Sequence, residues 1–195
     1  MDINYRVSII VPTYNSQETI EECLINILEE SKSFDSEIIV VDDNSSDKTT
    51  EIVKRFKLIK LIELENNEGV GNARNIGADN AKYEILCFID SDLIITKNSI
   101  INLVKKLNQN KNIGSVSAIQ KVINLNTKDW SSNFVCLKSC YGFEQVEKEA
   151  EFSACASEFC VMSKEILKQV GGWKSLRNAG GEEFDLGHKI NQLNK

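Results

Sequence analysis

Apolar and polar positions alternate in blocks along the first half of the chain. Residues 7–11 (VSIIV) form a near-continuous apolar run rich in β-branched side chains, the mark of a strand covered on both faces. Pro12-Thr13-Tyr14-Asn15 is expected to end it. Ser16 offers a helix N-cap, and Ile20, Leu24, Ile27 and Leu28 then recur at helical spacing. Asp35-Ser36 reads as a turn and residues 37–41 (EIIVV) as a second buried strand. The polar stretch 42–47 (DDNSSD) is a loop that also caps the next helix, whose Ile52, Val53 and Phe56 face inward. Residues 58–64 predict a third strand. After a loop over 66–71, Ala73, Ile76, Gly77 and Ala81 give a helix with a small-residue face suited to close packing. Residues 85–89 (ILCFI) are a fourth apolar strand that stops abruptly at Asp90-Ser91-Asp92.

Beyond that point Thr96 caps a helix with Ile100, Ile101, Val104 and Leu107 on one side, and residues 114–123 predict a fifth strand. Residues 124–153 are the least periodic part, with Trp130, Phe134, Tyr141 and Phe143 among polar neighbours. Residues 159–162 read as a short strand, Ser163 as the cap of a helix to about Val170, and Gly171-Gly172 as its stop. A helical pattern resumes at Glu182.

Strands alternating with helices imply an α/β fold, a Rossmann-like, mostly parallel sheet flanked by helices. The loss of alternation after about residue 112 implies a mixed C-terminal half in which antiparallel pieces join the same sheet. The 195 residues show no repeat and no low-complexity linker, so one domain is expected over 1–195, with halves 1–112 and 113–195. Hydrophobic residues make up 42% and charged residues 27%, a globular composition that excludes disorder and fibres. The net charge of −6 comes with no dominant basic face, so no nucleic-acid partner is expected. The polar residues 1–6 carry no signal-peptide pattern, and no apolar run approaches the ~20 residues of a membrane span. The expectation is a soluble cytoplasmic protein with no transmembrane segment; peripheral association with a membrane stays open. Of six cysteines, Cys23 and Cys87 lie in apolar periodic segments and read as core residues. Cys136, Cys140, Cys155 and Cys160 are spaced C-x3-C and C-x4-C without the C-x2-C knuckle, which favours reduced structural thiols over a zinc site.

In an open α/β sheet, ligands bind beyond the carboxyl ends of the strands. Tyr14 follows the first strand, Asp42-Asp43-Asn44 the second and Asp90-Ser91-Asp92 the fourth. So many carboxylates repel unless something positive lies among them; a divalent cation and the N–H donors of a base are natural partners. Mg²⁺ and Mn²⁺ take oxygen ligands, commonly one or two carboxylates plus substrate phosphates. An Asp-x-Asp directly after an apolar strand supplies these with little freedom; the plainer alternative is a cap of the next helix. Tyr14 is placed either to pack or to stack on a nucleobase. Arg74 either faces the ligand or is a surface residue. Residues 66–77 (NNEGVGNARNIG) resemble a phosphate loop only superficially, because the glycine spacing is wrong. Glu182, Glu183 and Asp185 open the last helix, where the dipole alone favours acids; the functional alternative is a general base beside the Gly180-Gly181 hinge.

Taken in order, these segments resemble the family 2 glycosyltransferases of the GT-A fold. The resemblance rests on VSIIVPTYN, EIIVVDDNSSDKT, NNEGVGNARNIG, ILCFIDSDLII, and CVMSKEILKQVGGW followed by GGEEFDLGHKI. It implies that Pro12 and Tyr14 lie against the nucleobase, that Asp43 binds its edge, that Arg74 lies near the donor and that Asp90 faces the ribose. It implies Asp92 as the ligand of a divalent metal, Mn or Mg, on the donor diphosphate. Glu183 stands where the family places an Asp as catalytic base, with Asp185 as the fallback. The implied reaction is an inverting, metal-dependent transfer from a nucleotide-sugar donor, expected to be UDP-linked. The acceptor would be a glycan, a lipid-linked group or a protein. The base takes the acceptor's proton and the metal offsets charge on the leaving diphosphate. Family members continue through an acceptor-binding segment after this motif, and the Gln-x-x-Arg-Trp motif of processive synthases is absent, so no polymer synthase is expected. A nucleotidyltransferase would need a glycine-rich basic loop after the first strand, and a dehydrogenase its glycine fingerprint; residues 12–16 have neither. A non-catalytic module that holds a nucleotide-sugar or a partner is the alternative from another class.

Overall fold

The computed structural model describes residues 5–118, 157–174 and 182–193, and for Glu182 and Glu183 the backbone alone. Contacts divide the chain into one unit of Met1–Ser117 with Ser153–Lys195 and another of Ala118–Phe152. All the described helices and strands belong to the first unit. The rest of the fifth strand, the aromatic stretch 124–153, Cys136, Cys140, Cys155 and the Gly180-Gly181 hinge lie outside the described residues.

The elements run β1 (Arg6–Thr13), α1 (Ile20–Ser31), β2 (Asp35–Asp42), α2 (Thr49–Val53), β3 (Ile59–Glu63), α3 (Val70–Asp79), β4 (Ile85–Ile89) and α4 (Ser99–Gln109). They continue with β5 (Ser115–Ser117), β6 (Phe159–Ser163), α5 (Lys164–Gln169) and α6 (Glu182–Gln192). Among the described residues the strands form one sheet in the order β3-β2-β1-β4-β6-β5. Strands β1 to β4 are parallel, and β6 runs antiparallel to both β4 and β5. The α/β architecture and the mixed second half are as the residue pattern implies.

Buried strands explain the apolar runs. Ile10, Ile39, Val41, Leu86, Phe88, Cys160 and Met162 form one core with residues of α3, α5 and α6. The alternate positions Ile9, Val11, Ile38, Val40, Cys87 and Ile89 are equally buried. They share that burial with Ile20, Leu24 and Ile27 of α1, Ile52 and Val53 of α2, and Ile100 and Val104 of α4. Both faces are therefore covered, which removes any reason for in–out alternation. The small-residue face of α3 packs on β1 so closely that a Cβ on Gly77 would collide with Ile10 Cγ2.

Several boundaries differ from those the sequence implies. Pro12 does not end β1: it pairs with Val41 in register. The ladder with β4 covers only Val7 to Ile10, so the proline's missing N–H removes no bond there. Asp35 and Ser36 are not a turn but the start of β2, opposite Arg6 and Val7. Ser16 is not the N-cap of α1, which begins at Ile20; its carbonyl instead accepts the N–H groups of Thr19 and Ile20 in a preceding turn. Thr96 does not cap α4, which follows Asn98 in a left-handed conformation, φ 65°. Ser163 does cap α5, accepting the Ile166 N–H at 3.0 Å, and Gly171-Gly172 ends it with φ of 80° and 78°.

Candidate functional site

Strands β2, β1 and β4 are neighbours, so Asp42-Asp43, Tyr14 and Asp90 emerge side by side along one carboxyl edge. At about 4.8 Å per strand, β2 and β4 end roughly 10 Å apart. The strand-end loops are laced together by local hydrogen bonds. Asn15, in the left-handed region at φ 49°, donates its N–H to Ser45 Oγ at 2.8 Å and accepts the Ser46 N–H at 2.8 Å. Ser16 donates its N–H to Thr49 Oγ1 at 2.8 Å, and its hydroxyl pairs with that of Ser91 at 2.8 Å. The loops after β1, β2 and β4 thus form one surface, on which the ring of Tyr14 stands 51% exposed. Pro12 is buried in β1.

Asp43 is a buried carboxylate. Its Oδ1 accepts the Glu68 N–H and its Oδ2 the Gly69 N–H, both at 2.8 Å. Gly69, at φ 93°, stands at the N-terminus of α3. The protein's own carboxylate therefore occupies the amides and the dipole end that a phosphate loop would offer, which agrees with the wrong glycine spacing. Each Asp43 oxygen retains further acceptor capacity.

Arg74 is not a surface residue. It is 1% exposed, inside α3, and its Nη2 donates to Asp90 Oδ1 at 2.7 Å. The guanidinium carbon lies 4.9 Å from the centroid of the Trp173 ring. A guanidinium so enclosed acts on the edge through Asp90. Burial pushes the Asp90 carboxyl up to about 6; Arg74 pulls it down, while Asp92 and Glu158 push it up. Asp92 lies in the turn after β4 and is exposed, where the Leu93 N–H donates to the Asp90 carbonyl at 3.2 Å.

The sequence implies a divalent metal at Asp92. Among the described residues no group of three or more His, Cys, Asp or Glu could hold such an ion by itself. One exposed carboxylate with hard oxygens is nevertheless what Mg²⁺ or Mn²⁺ needs when substrate phosphates supply the other ligands. Asp92 fits that role.

The acids of α6 are less clearly placed. Leu186 and Ile190 anchor the helix in the core. The Asp185 carboxylate pairs with Lys189 at 2.6 Å one turn on, and that contact holds it below the usual carboxylate range. This makes Asp185 a weak base. Glu183 lies in the first turn of α6, and its side chain is outside the described residues.

Two contributors were not legible in the sequence. Glu158 precedes β6, and because β6 runs antiparallel its carbonyl accepts the Asp90 N–H at 2.8 Å. It follows an aperiodic segment, so no local pattern tied it to β4. Ser91, read only as the spacer of Asp-x-Asp, is buried and joins two loops. Of the four spaced cysteines, Cys160 is a core residue of β6 opposite Phe88. Cys23 and Cys87 are buried thiols as expected, and burial pushes Cys23 up to about 12.

Comparison with known proteins bears on the family and the fold. The model of glycosyl transferase family 2 matches residues 8–171. The poly-β-1,6-N-acetyl-D-glucosamine synthase of Staphylococcus epidermidis is 28% identical over 177 residues, 86% of this chain and 42% of that protein. The glycosyltransferase GlyG of Streptococcus pneumoniae is 28% identical over 176 residues, 86% of this chain and 51% of that protein. The chain thus spans about half the length of these relatives. Among solved structures, the mannosyltransferase PcManGT of Pyrobaculum calidifontis, in complex with GDP-Man and Mn²⁺, is 27% identical with a TM-score of 0.76. That match covers 97% of this chain and 53% of that one. The fold is of the GT-A type, and the chain belongs to glycosyl transferase family 2.

Proposed function

We propose that the chain is an inverting, metal-dependent glycosyltransferase. It would move a sugar from a nucleotide-sugar, expected to be UDP-linked, to an acceptor hydroxyl in polysaccharide, glycolipid or glycoprotein synthesis. One observation carries the reading: at the end of β4, one oxygen of Asp90 is held by buried Arg74 while Asp92, two residues on, is left exposed. In this reading Tyr14 stacks on the base and Asp43 uses its remaining acceptor capacity on the base edge. Asp90 faces the ribose roughly 10 Å away, a span that suits a nucleoside. Asp92 holds Mn²⁺ or Mg²⁺ on the diphosphate, and the ion's chemistry is to offset charge on the leaving group. Pro12 supports the base platform from within β1. The PcManGT complex, which holds GDP-Man and Mn²⁺ on the same fold, supports both donor class and metal.

Glu183, at the start of α6, is the proposed base, taking the acceptor's proton as its oxygen attacks the anomeric carbon. Direct displacement inverts that centre without a covalent intermediate. The expected setting is the cytoplasm; among the described residues no helix is long and apolar enough to cross a membrane. The test is donor turnover, by transfer or hydrolysis, in wild type and Glu183→Gln. The variant should lose about 10²–10⁴-fold in rate while binding donor normally. Equal rates would remove Glu183 from the role, and a wild type that binds donor without turning it over would favour the non-catalytic module.

A further inference from the structure

The buried charge of Arg74 needs something to hold it, and the observations lead to a residue nearly a hundred positions away. After α5 the chain reverses through Gly171 and Gly172, both in the left-handed region. A Cβ on Gly172 would stand 2.8 Å from Asn75 Oδ1, so a side chain there would displace that amide. The reversal brings Trp173 against α3, where the single side chain of Asn75 binds its backbone twice. Asn75 Nδ2 donates to the Trp173 carbonyl at 2.8 Å, and the Trp173 N–H donates to Asn75 Oδ1 at 2.8 Å. The backbone is thereby fixed next to the residue that precedes Asn75, which is Arg74.

The indole ring is fixed as well. Phe88 of β4 meets it edge-on, with centroids 5.3 Å apart and planes at 77°, and its face takes the Arg74 guanidinium at 4.9 Å. Trp173 is 3% exposed, yet its Nε1–H is buried without an acceptor among the described residues. What tryptophan adds over phenylalanine is the strongest π face for a cation.

We propose that Trp173, with its backbone locked by Asn75, is a positioning residue for donor binding that holds Arg74 on Asp90. The proposal rests on the nucleotide-sugar reading above. It ties the donor edge to α6, since Trp173 shares its core with Leu186 and Ile190.

The test compares Trp173→Leu and Trp173→Phe with Leu167→Val, which thins the same core at a position outside the Arg74–Asp90 pair. Binding of UDP-GlcNAc and GDP-mannose with Mn²⁺ is measured by calorimetry. The ¹⁵N signals of the Arg74 guanidinium are recorded without metal or donor. Trp173→Leu should raise the donor Kd about tenfold, and Trp173→Phe, which keeps a weaker π face, should raise it about threefold. Leu167→Val should lower Tm and leave the Kd unchanged. The separate, slowly rotating Arg74 signals of wild type should merge in Trp173→Leu. Donor binding by Trp173→Leu equal to wild type, or a Kd that follows Tm across all three variants, would overturn the proposal. A wild type that binds neither donor defeats the functional reading; unchanged Arg74 signals in Trp173→Leu would then still overturn the positioning role.

Discussion

Replacing Arg74 with methionine keeps the apolar stem and removes the charge. One partner left behind is Asp90, whose side chain is 24% exposed against 1% for Arg74. Breaking a fully buried pair costs about 3–5 kcal/mol; partial exposure of Asp90 brings this to about 2–3 kcal/mol. The loss depends on pH, and its sign follows from the carboxyl. Asp90 stands at about 6 in the folded protein against an ordinary 3.8. Being raised, it contributes stability that is fully present below about pH 4 and lost as pH rises through about 6. Arg74 opposes that rise, so Arg74→Met moves the carboxyl higher still and extends the loss to higher pH. Thermal denaturation of metal-free protein, followed by circular dichroism, reads this directly. At about pH 8 the variant should melt about 5–10 °C below wild type, and at about pH 5 the gap should shrink to a few degrees. Adding Asp90→Asn should recover most of the loss at about pH 8, because the unpaired charge is gone. Equal deficits at both pH values, or no recovery in the double variant, would refute the reasoning.

Two further outcomes stem from packing and hydrogen bonding. Gly77→Ala drives a methyl into Ile10, which is itself fully buried, and should cost about 1–3 kcal/mol in chemical denaturation; a neutral result would mean that α3 can move off β1. Asp43→Ala removes the acceptor of the Glu68 and Gly69 N–H groups, so those two amides should exchange with solvent about 10–100-fold faster, while unchanged exchange would show that other contacts hold the loop.

The parallel half was legible because both sheet faces are covered. β1, β2 and β4 are apolar runs, and each ends at a polar cluster that marks the carboxyl edge; β3, with Lys60 and Glu63 and only partial burial, is not. Position alone places Asp42-Asp43 and Asp90-Ser91-Asp92 at that edge; the family resemblance singles out Asp43, Asp90 and Asp92 among them. Less legible was what the side chains do. Arg74 is a polar residue buried against Trp173 and Asp90 among others, neither of these two close in sequence, so no local pattern separates it from a surface arginine. Asp43 reads as a ligand-facing acid, yet tertiary contacts give both its oxygens to the α3 N-terminus. Glu158 reaches the edge only because β6 runs antiparallel, a choice made by tertiary pairing across a long intervening segment. Pro12 looked like a strand stop because propensity takes no account of a neighbouring ladder that ends two residues earlier.

The central claim is that this edge holds a nucleotide-sugar through a divalent metal at Asp92. Titration calorimetry of UDP, GDP and their sugars, with and without Mn²⁺, on wild type and Asp92→Ala tests it most directly. Asp92 is exposed, so the variant should melt with wild type, and a loss of binding cannot be a loss of fold. The account predicts binding that requires Mn²⁺ in wild type and disappears in Asp92→Ala. Folded wild type that binds none of these ligands, or Asp92→Ala that binds as tightly in the presence of Mn²⁺, would contradict it.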